Sequence, residues 1–119
     1  MIEGSQIDWA GHGNQVEYMI TEMNDFEQTV KRVMDYAEAD GNTLVIVTAD
    51  HETGGFTLGA AGANGYDADY SVISPTFAST NHSAALVPVL AYGPGAENFI
   101  GIYENTEIFH KLVSLFNVK

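Results

Sequence analysis

Asp8 and His12 stand four residues apart in Asp8-Trp9-Ala10-Gly11-His12. At that spacing two side chains meet on one face of a helix, so a helical or turned segment would aim a carboxylate and an imidazole at one point. Asp50-His51 adds the same two groups on adjacent residues, and His82 follows the polar run Ser79-Thr80-Asn81. Nitrogen and oxygen donors of this kind suit zinc, and a catalytic zinc keeps one position open for water or substrate. Each residue also has a plainer role. Asp8 could cap a helix, Asp50 could close a turn at a strand end, and a single histidine is more often hydrogen-bonded at a surface than bound to metal. The grouping is more telling than any member, because three of the four histidines sit beside turns or Asp.

Elements of regular structure must bring these groups together. Apolar residues recur in steps of three and four at Val16, Met19, Ile20, Met23, Phe26, Val30, Val33, Met34 and Ala37, which predicts one amphipathic helix or two that abut. The candidate break is Asn24-Asp25, where Asn24 and Glu27 have the spacing of a capping box. Gly41-Asn42 supplies the stop. Residues 44–49 form a short, largely β-branched run without alternation, as expected of a central strand covered on both faces. That strand ends at Asp50-His51, and the carboxyl ends of strands are where open α/β sheets place their ligand sites.

Residues 54–70 are rich in Gly, Ala, Asn and Asp and read as loop, with a short strand at 56–58. A surface strand is expected at 71–78, interrupted by Pro75, and a better one at 86–92, closed by the Gly93-Pro94-Gly95 turn. A last amphipathic helix covers 106–116, capped by Asn105 or Thr106. The order is that of an α/β protein.

The chain has 119 residues, the size of one domain, with 45% hydrophobic residues and mean hydropathy near zero. Sixteen acidic residues against four basic ones give a formal charge of −12. Such a surface repels a phosphate backbone, which argues against nucleic-acid binding, and it keeps the chain soluble. No apolar run approaches the roughly 20 residues of a membrane span. There are no cysteines, hence no disulfides or thiolate metal sites. Met1-Ile2-Glu3-Gly4 has neither the basic nor the apolar region of a secretory signal.

Three segments carry a resemblance that covers nearly the whole chain. Met1-Ile2-Glu3-Gly4-Ser5-Gln6-Ile7-Asp8-Trp9-Ala10-Gly11-His12 is similar to the signature of alkaline phosphatases. Residues 43–55, reading TLVIVTADHETGG, resemble the second signature of that family, and His82-Ser83 with the run Val87-Pro88-Val89-Leu90-Ala91-Tyr92-Gly93-Pro94-Gly95-Ala96 is similar to the third. The resemblance implies a fragment of the family's three-layer α/β/α sandwich, residues 1–119 being a single C-terminal metal-binding portion of the catalytic domain. It implies that Asp8, His12 and His82 bind one zinc, Asp50 and His51 a second, and Glu3 a magnesium. Two zinc ions about 4 Å apart hold the attacking and leaving oxygens of an in-line phosphoryl transfer. The activity implied is hydrolysis of phosphate monoesters through a phosphoserine intermediate.

The family's nucleophilic serine, a further metal-bridging Asp and a phosphate-clamping Arg belong to a segment that precedes the Glu3 motif. The chain by itself is therefore expected to supply metal ligands without turnover, and to need the missing N-terminal half as a partner. Ser5 matches a structural position of the family, Arg32 lies within the long amphipathic helix, and His110 matches no ligand position. Trp9 is a candidate pocket-lining residue beside Asp8. Strands separated from their neighbours leave open edges and apolar faces, so self-association is expected. The resemblance places the parent protein in the periplasm or outside the cell. Two other readings remain open: a non-catalytic metal-binding module, or a sister phosphodiesterase or mutase of the same superfold.

Overall fold

The computed structural model describes residues 1–62 and 68–116. The part of the expected 54–70 loop at 63–67 lies outside the described residues. The chain divides into two compact units, Met1–Phe26 with His51–Leu86, and Glu27–Asp50 with Val87–Lys119.

The first unit opens with helix α1 (Gln6–His12) and continues into the start of α2 (Val16–Asp40). α1 stops immediately after His12 because Asn14 takes a left-handed conformation, φ 50°. Its amide donates to the Gly11 carbonyl at 3.1 Å, and the Gln15 amide donates to that of Ala10 at 3.0 Å. This pair of bonds closes the carbonyl end of a helix, and Asn is among the few residues that adopt the left-handed position readily. The same unit holds two antiparallel strand pairs: β2 (Glu52–Thr53) with β5 (His82–Ser83), and β3 (Thr57–Ala61) with β4 (Asp69–Thr76). β4 includes Pro75, opposite Leu58, on a strand that among the described residues is paired on one side only, where a missing amide hydrogen costs little.

α2 is one uninterrupted helix, so of the two readings, one helix or two that abut at Asn24-Asp25, the single helix holds. Asn24 and Asp25 are exposed, whereas Met19 and Ala37 at either end of the apolar stripe are buried. The stripe continues in phase across the polar pair, and an exposed Asn costs a helix only a few tenths of a kcal/mol.

In the second unit β1 (Val45–Thr48) runs antiparallel to β6 (Val89–Tyr92), with Val45 opposite Tyr92 and Thr48 opposite Val89. β6 starts after Pro88 and is shorter than the expected 86–92. β1 pairs with β6 alone among the described residues. Only Val45 of this β-branched run is buried, so the expected cover on both faces is not provided by the described residues. A 3-10 turn, Ala96–Phe99, buries Phe99, and helix α3 (Glu107–Phe116) follows. The first turn of α3 is closed by the carbonyls of Glu104 and Asn105. Lys111 donates to the Asn98 carbonyl at 2.7 Å and sits 4.4 Å from the centre of the Tyr103 ring. Leu90, Tyr92, Phe109 and Phe116 remain exposed. No helix among the described residues is long and apolar enough to cross a membrane.

Candidate metal centre

One turn of α1 separates Asp8 from His12, and β5 brings in His82 across 70 residues of chain. Ligand atoms of Asp8, His12 and His82 all lie within 4.8 Å of one another. The His12 Nε2 is 3.5 Å from Asp8 Oδ2, the His82 Nε2 is 3.5 Å from Asp8 Oδ1, and the two Nε2 atoms are 3.1 Å apart. All three side chains are partly open to solvent.

The approach of α1 to β2 depends on small residues. Ala10 and Gly11 are buried, and a Cβ at Gly11 would fall 2.9 Å from the Thr53 methyl group and 3.0 Å from the Thr53 carbonyl oxygen. Gly54 has φ 91°, and a Cβ there would meet the Phe77 ring at 2.7 Å and the Gly11 carbonyl at 3.0 Å. Its amide donates to the Asn81 carbonyl and its carbonyl accepts from the amides of Ala78 and Ser79, each at 2.9 Å. Glycine at this point lets the backbone after β2 hold the loop that delivers His82.

The imidazole of His12 is held by its other nitrogen. Nδ1 lies 2.6 Å from the Thr80 carbonyl oxygen, which only accepts, so Nδ1 carries the proton and Nε2 presents a lone pair toward Asp8 and His82. The Thr53 hydroxyl donates to Asp8 Oδ1 at 2.5 Å and lies 3.3 Å from His51 Nδ1. That hydroxyl holds the Asp8 carboxyl below its ordinary value of 3.8, partial burial opposes it, and the nearby imidazoles of His12, His82 and His51 add to the lowering. A carboxylate, a lone pair of fixed direction and a second imidazole nitrogen thus converge on one place. This is the donor set of a three-ligand zinc site with an open position, and the residues fit the ion.

The His51 ring stacks on His82 with centroids 3.6 Å apart, so both candidate zinc groups are represented in the first unit. Asp50 ends the Glu27–Asp50 segment of the second unit, exposed, two residues beyond the end of β1. Glu3 is exposed in the segment ahead of α1 and is not among the three convergent side chains. Trp9 lies next to Asp8 on α1 and is 61% exposed. Arg32 is exposed on α2 and His110 on α3.

Sequence reasoning missed Thr53, Thr80, Glu52 and Ser83. Glu52 accepts the Phe56 amide at 2.9 Å, the Gly55 amide at 3.1 Å and the Ser83 hydroxyl. The Ser83 hydroxyl is the main reason its carboxyl is held below the ordinary 4.5, followed by the Phe56 amide. A signal was available. In an extended segment alternate residues share a face, so Thr53 belongs with His51, and a polar residue beside a ligand is where its support is sought.

The Alkaline phosphatase family matches residues 1–74. Alkaline phosphatase 4 of Bacillus subtilis is 32% identical to this chain, the match covering 90% of the chain and 37% of the relative. Alkaline phosphatase 3 of the same organism is 56% identical over 62 residues, 52% of the chain and 13% of the relative. The alkaline phosphatase of Escherichia coli is 30% identical over 99% of the chain and 27% of its own length. Among solved structures, the alkaline phosphatase from the Antarctic bacterium TAB5 superposes with TM-score 0.90 at 56% identity, over 98% of this chain and 34% of that one. A variant of that enzyme is described with Mg bound. The chain belongs to the alkaline phosphatase family, and its α/β fold is that of a fragment of these enzymes. It spans little more than a third, or less, of the length of these relatives.

Proposed function

We propose that residues 1–119 are the C-terminal metal-binding portion of a zinc- and magnesium-dependent phosphomonoesterase. The observation that carries this is the convergence of Asp8, His12 and His82, with ligand atoms within 4.8 Å, in a chain of the alkaline phosphatase family. In this reading these three residues hold one zinc, Asp50 and His51 contribute to a second, and Glu3 contributes to a magnesium site. When bound, zinc supplies positive charge that stabilises a transferring phosphoryl group and polarises the oxygens around it. Thr53 keeps the Asp8 carboxylate oriented and ionised, and the Thr80 carbonyl keeps the His12 lone pair directed inward. Trp9 lines the approach to the site.

The substrate class is phosphate monoesters, and the parent protein acts in the periplasm or outside the cell. The serine that accepts the phosphoryl group and the arginine that holds it are contributed by a preceding segment, so residues 1–119 do not turn over substrate alone. Positioning contributes up to about 7 to 11 kcal/mol in well-oriented systems, a loss that bound zinc does not replace. The test is hydrolysis of a chromogenic phosphate monoester at alkaline pH with zinc and magnesium. The samples are the chain alone, its Asp50→Ala variant, and the chain mixed with the N-terminal segment of a full-length relative. Activity only in the mixture is expected. Turnover by the chain alone that disappears in Asp50→Ala would overturn the division of labour.

A further inference from the structure

What keeps His82 facing Asp8 and His12 is a strand pair only two residues long on each side. In it Thr53 stands opposite His82 and Glu52 opposite Ser83. Directly opposed residues share a face, and residues two apart along a strand share one too. Thr53 and His82 therefore lie together on the metal-facing side. The contacts of His51 with the Thr53 hydroxyl, at 3.3 Å, and with the His82 ring put it on that side as well. Glu52 and Ser83 occupy the reverse face.

So short a ladder has few backbone bonds to define its register. A slip of one residue would carry His82 to the reverse face, away from Asp8 and His12. On that face the Glu52 carboxylate accepts the Ser83 hydroxyl across the ladder, while accepting the Gly55 and Phe56 amides at 3.1 and 2.9 Å from the turn after β2. Hydrogen bonds to an ionised acceptor are about twice as strong as neutral ones. One carboxylate thus fixes the turn that follows β2 and also the alignment of β5. A slipped strand would take the Ser83 hydroxyl out of its reach.

We propose that Glu52 and Ser83 are positioning residues for the zinc site: their bond, made behind the ladder, locks the register that holds His82 against Asp8, His12 and His51. Neither residue touches the metal in this account. The inference rests on the zinc reading above and adds to it the residues that align the third ligand.

The test is calorimetric titration of the chelator-stripped chain with zinc, accompanied by visible spectra of the cobalt(II)-loaded chain and by melting of the metal-free chain. Ser83→Ala and Glu52→Ala should weaken zinc binding by about 10- to 100-fold, the usual effect of losing a residue that orients a ligand. Ser83→Thr, which keeps the hydroxyl, should bind close to the parent. The cobalt(II) absorption should shift in Ser83→Ala, because the geometry of an imidazole ligand has changed. Should Glu52→Ala fail to fold, Ser83→Ala, which removes one hydroxyl, decides. A Ser83→Ala chain that melts lower but binds zinc as the parent does would overturn the proposal, since the pair would then only stabilise. Zinc binding in the parent that is lost in His12→Ala but unchanged in Ser83→Ala sinks this inference alone. No zinc binding by the parent sinks the zinc reading with it.

Discussion

The two strand pairs β2–β5 and β1–β6 hold their partners in different ways. β1 and β6 match four residues each, nearly all aliphatic or aromatic, and the register follows from backbone pairing and apolar contact. β2 and β5 match two residues each, Glu52-Thr53 against His82-Ser83, with no aliphatic side chain among them. Here alignment comes from side-chain hydrogen bonds: Glu52 to Ser83 on one face, and Thr53 to Asp8 on the other. A pair built to present ligands gives up the apolar contact that would stabilise it. Polar bonds to charged acceptors take over, and they specify geometry more sharply than packing does.

The contrast predicts that binding and stability separate. On the proposed zinc reading His12→Ala or His82→Ala removes a ligand, so zinc affinity should fall by more than the roughly 10- to 100-fold that follows loss of a supporting group. The melting temperature of the metal-free chain should change little, because both side chains are partly exposed. Phe99→Ala, in the other unit, should do the reverse. That ring is 4% exposed, and truncating a buried Phe costs about 3–5 kcal/mol. Calorimetric zinc titration and thermal melting of all three variants would check this, and a loss of zinc affinity in folded Phe99→Ala would blur the distinction.

A smaller effect is expected at Thr53, whose hydroxyl bonds Asp8 without belonging to the ligand set. Thr53→Val keeps the shape and removes the donor, leaving a carboxylate oxygen without its partner. Zinc affinity should drop by about tenfold or somewhat more, and Thr53→Ser should restore most of it. A valine variant that binds as the parent does, with the serine variant weakened, would show that the methyl contact with α1 matters and the hydroxyl does not.

The sequence was most informative where a pattern repeats or a spacing is fixed. The i, i+4 relation of Asp8 and His12 became one turn of α1, and the apolar stripe became α2. The candidate break at Asn24 stayed open in the sequence because a capping box is a local pattern, and the structure shows that the continuous apolar stripe overrides it. The cover expected on β1 is not supplied by the described residues, because residues suited to a strand buried on both faces say nothing about which segment supplies the neighbours. His82 could be tied to Asp8 only through resemblance, because a separation of 74 residues carries no periodicity. Thr53 and Glu52 sat in plain view within Asp50-His51-Glu52-Thr53, yet their roles depend on which strand lies opposite.

The smallest expected effect is the acid response of the short pair. Asp8 and Glu52 both have carboxyls lowered from their ordinary values of 3.8 and 4.5, Asp8 mainly by the Thr53 hydroxyl and Glu52 mainly by the Ser83 hydroxyl. A depressed folded-state value means that the folded chain binds fewer protons than the unfolded chain. The resulting stabilisation is complete above the ordinary value and is lost as the pH falls through the depressed one. In the metal-free chain the melting temperature should therefore decline as the pH is lowered from 6 to 3, with Glu52 contributing from about 4.5 downward. Both groups are reached by solvent, so screening keeps the effect modest. Glu52→Gln removes one titrating carboxylate, and it should melt below the parent at pH 6 yet converge with it near pH 3. Parallel melting curves for the two chains across that range would show that the Glu52 bonds to Ser83, Gly55 and Phe56 owe nothing to its charge.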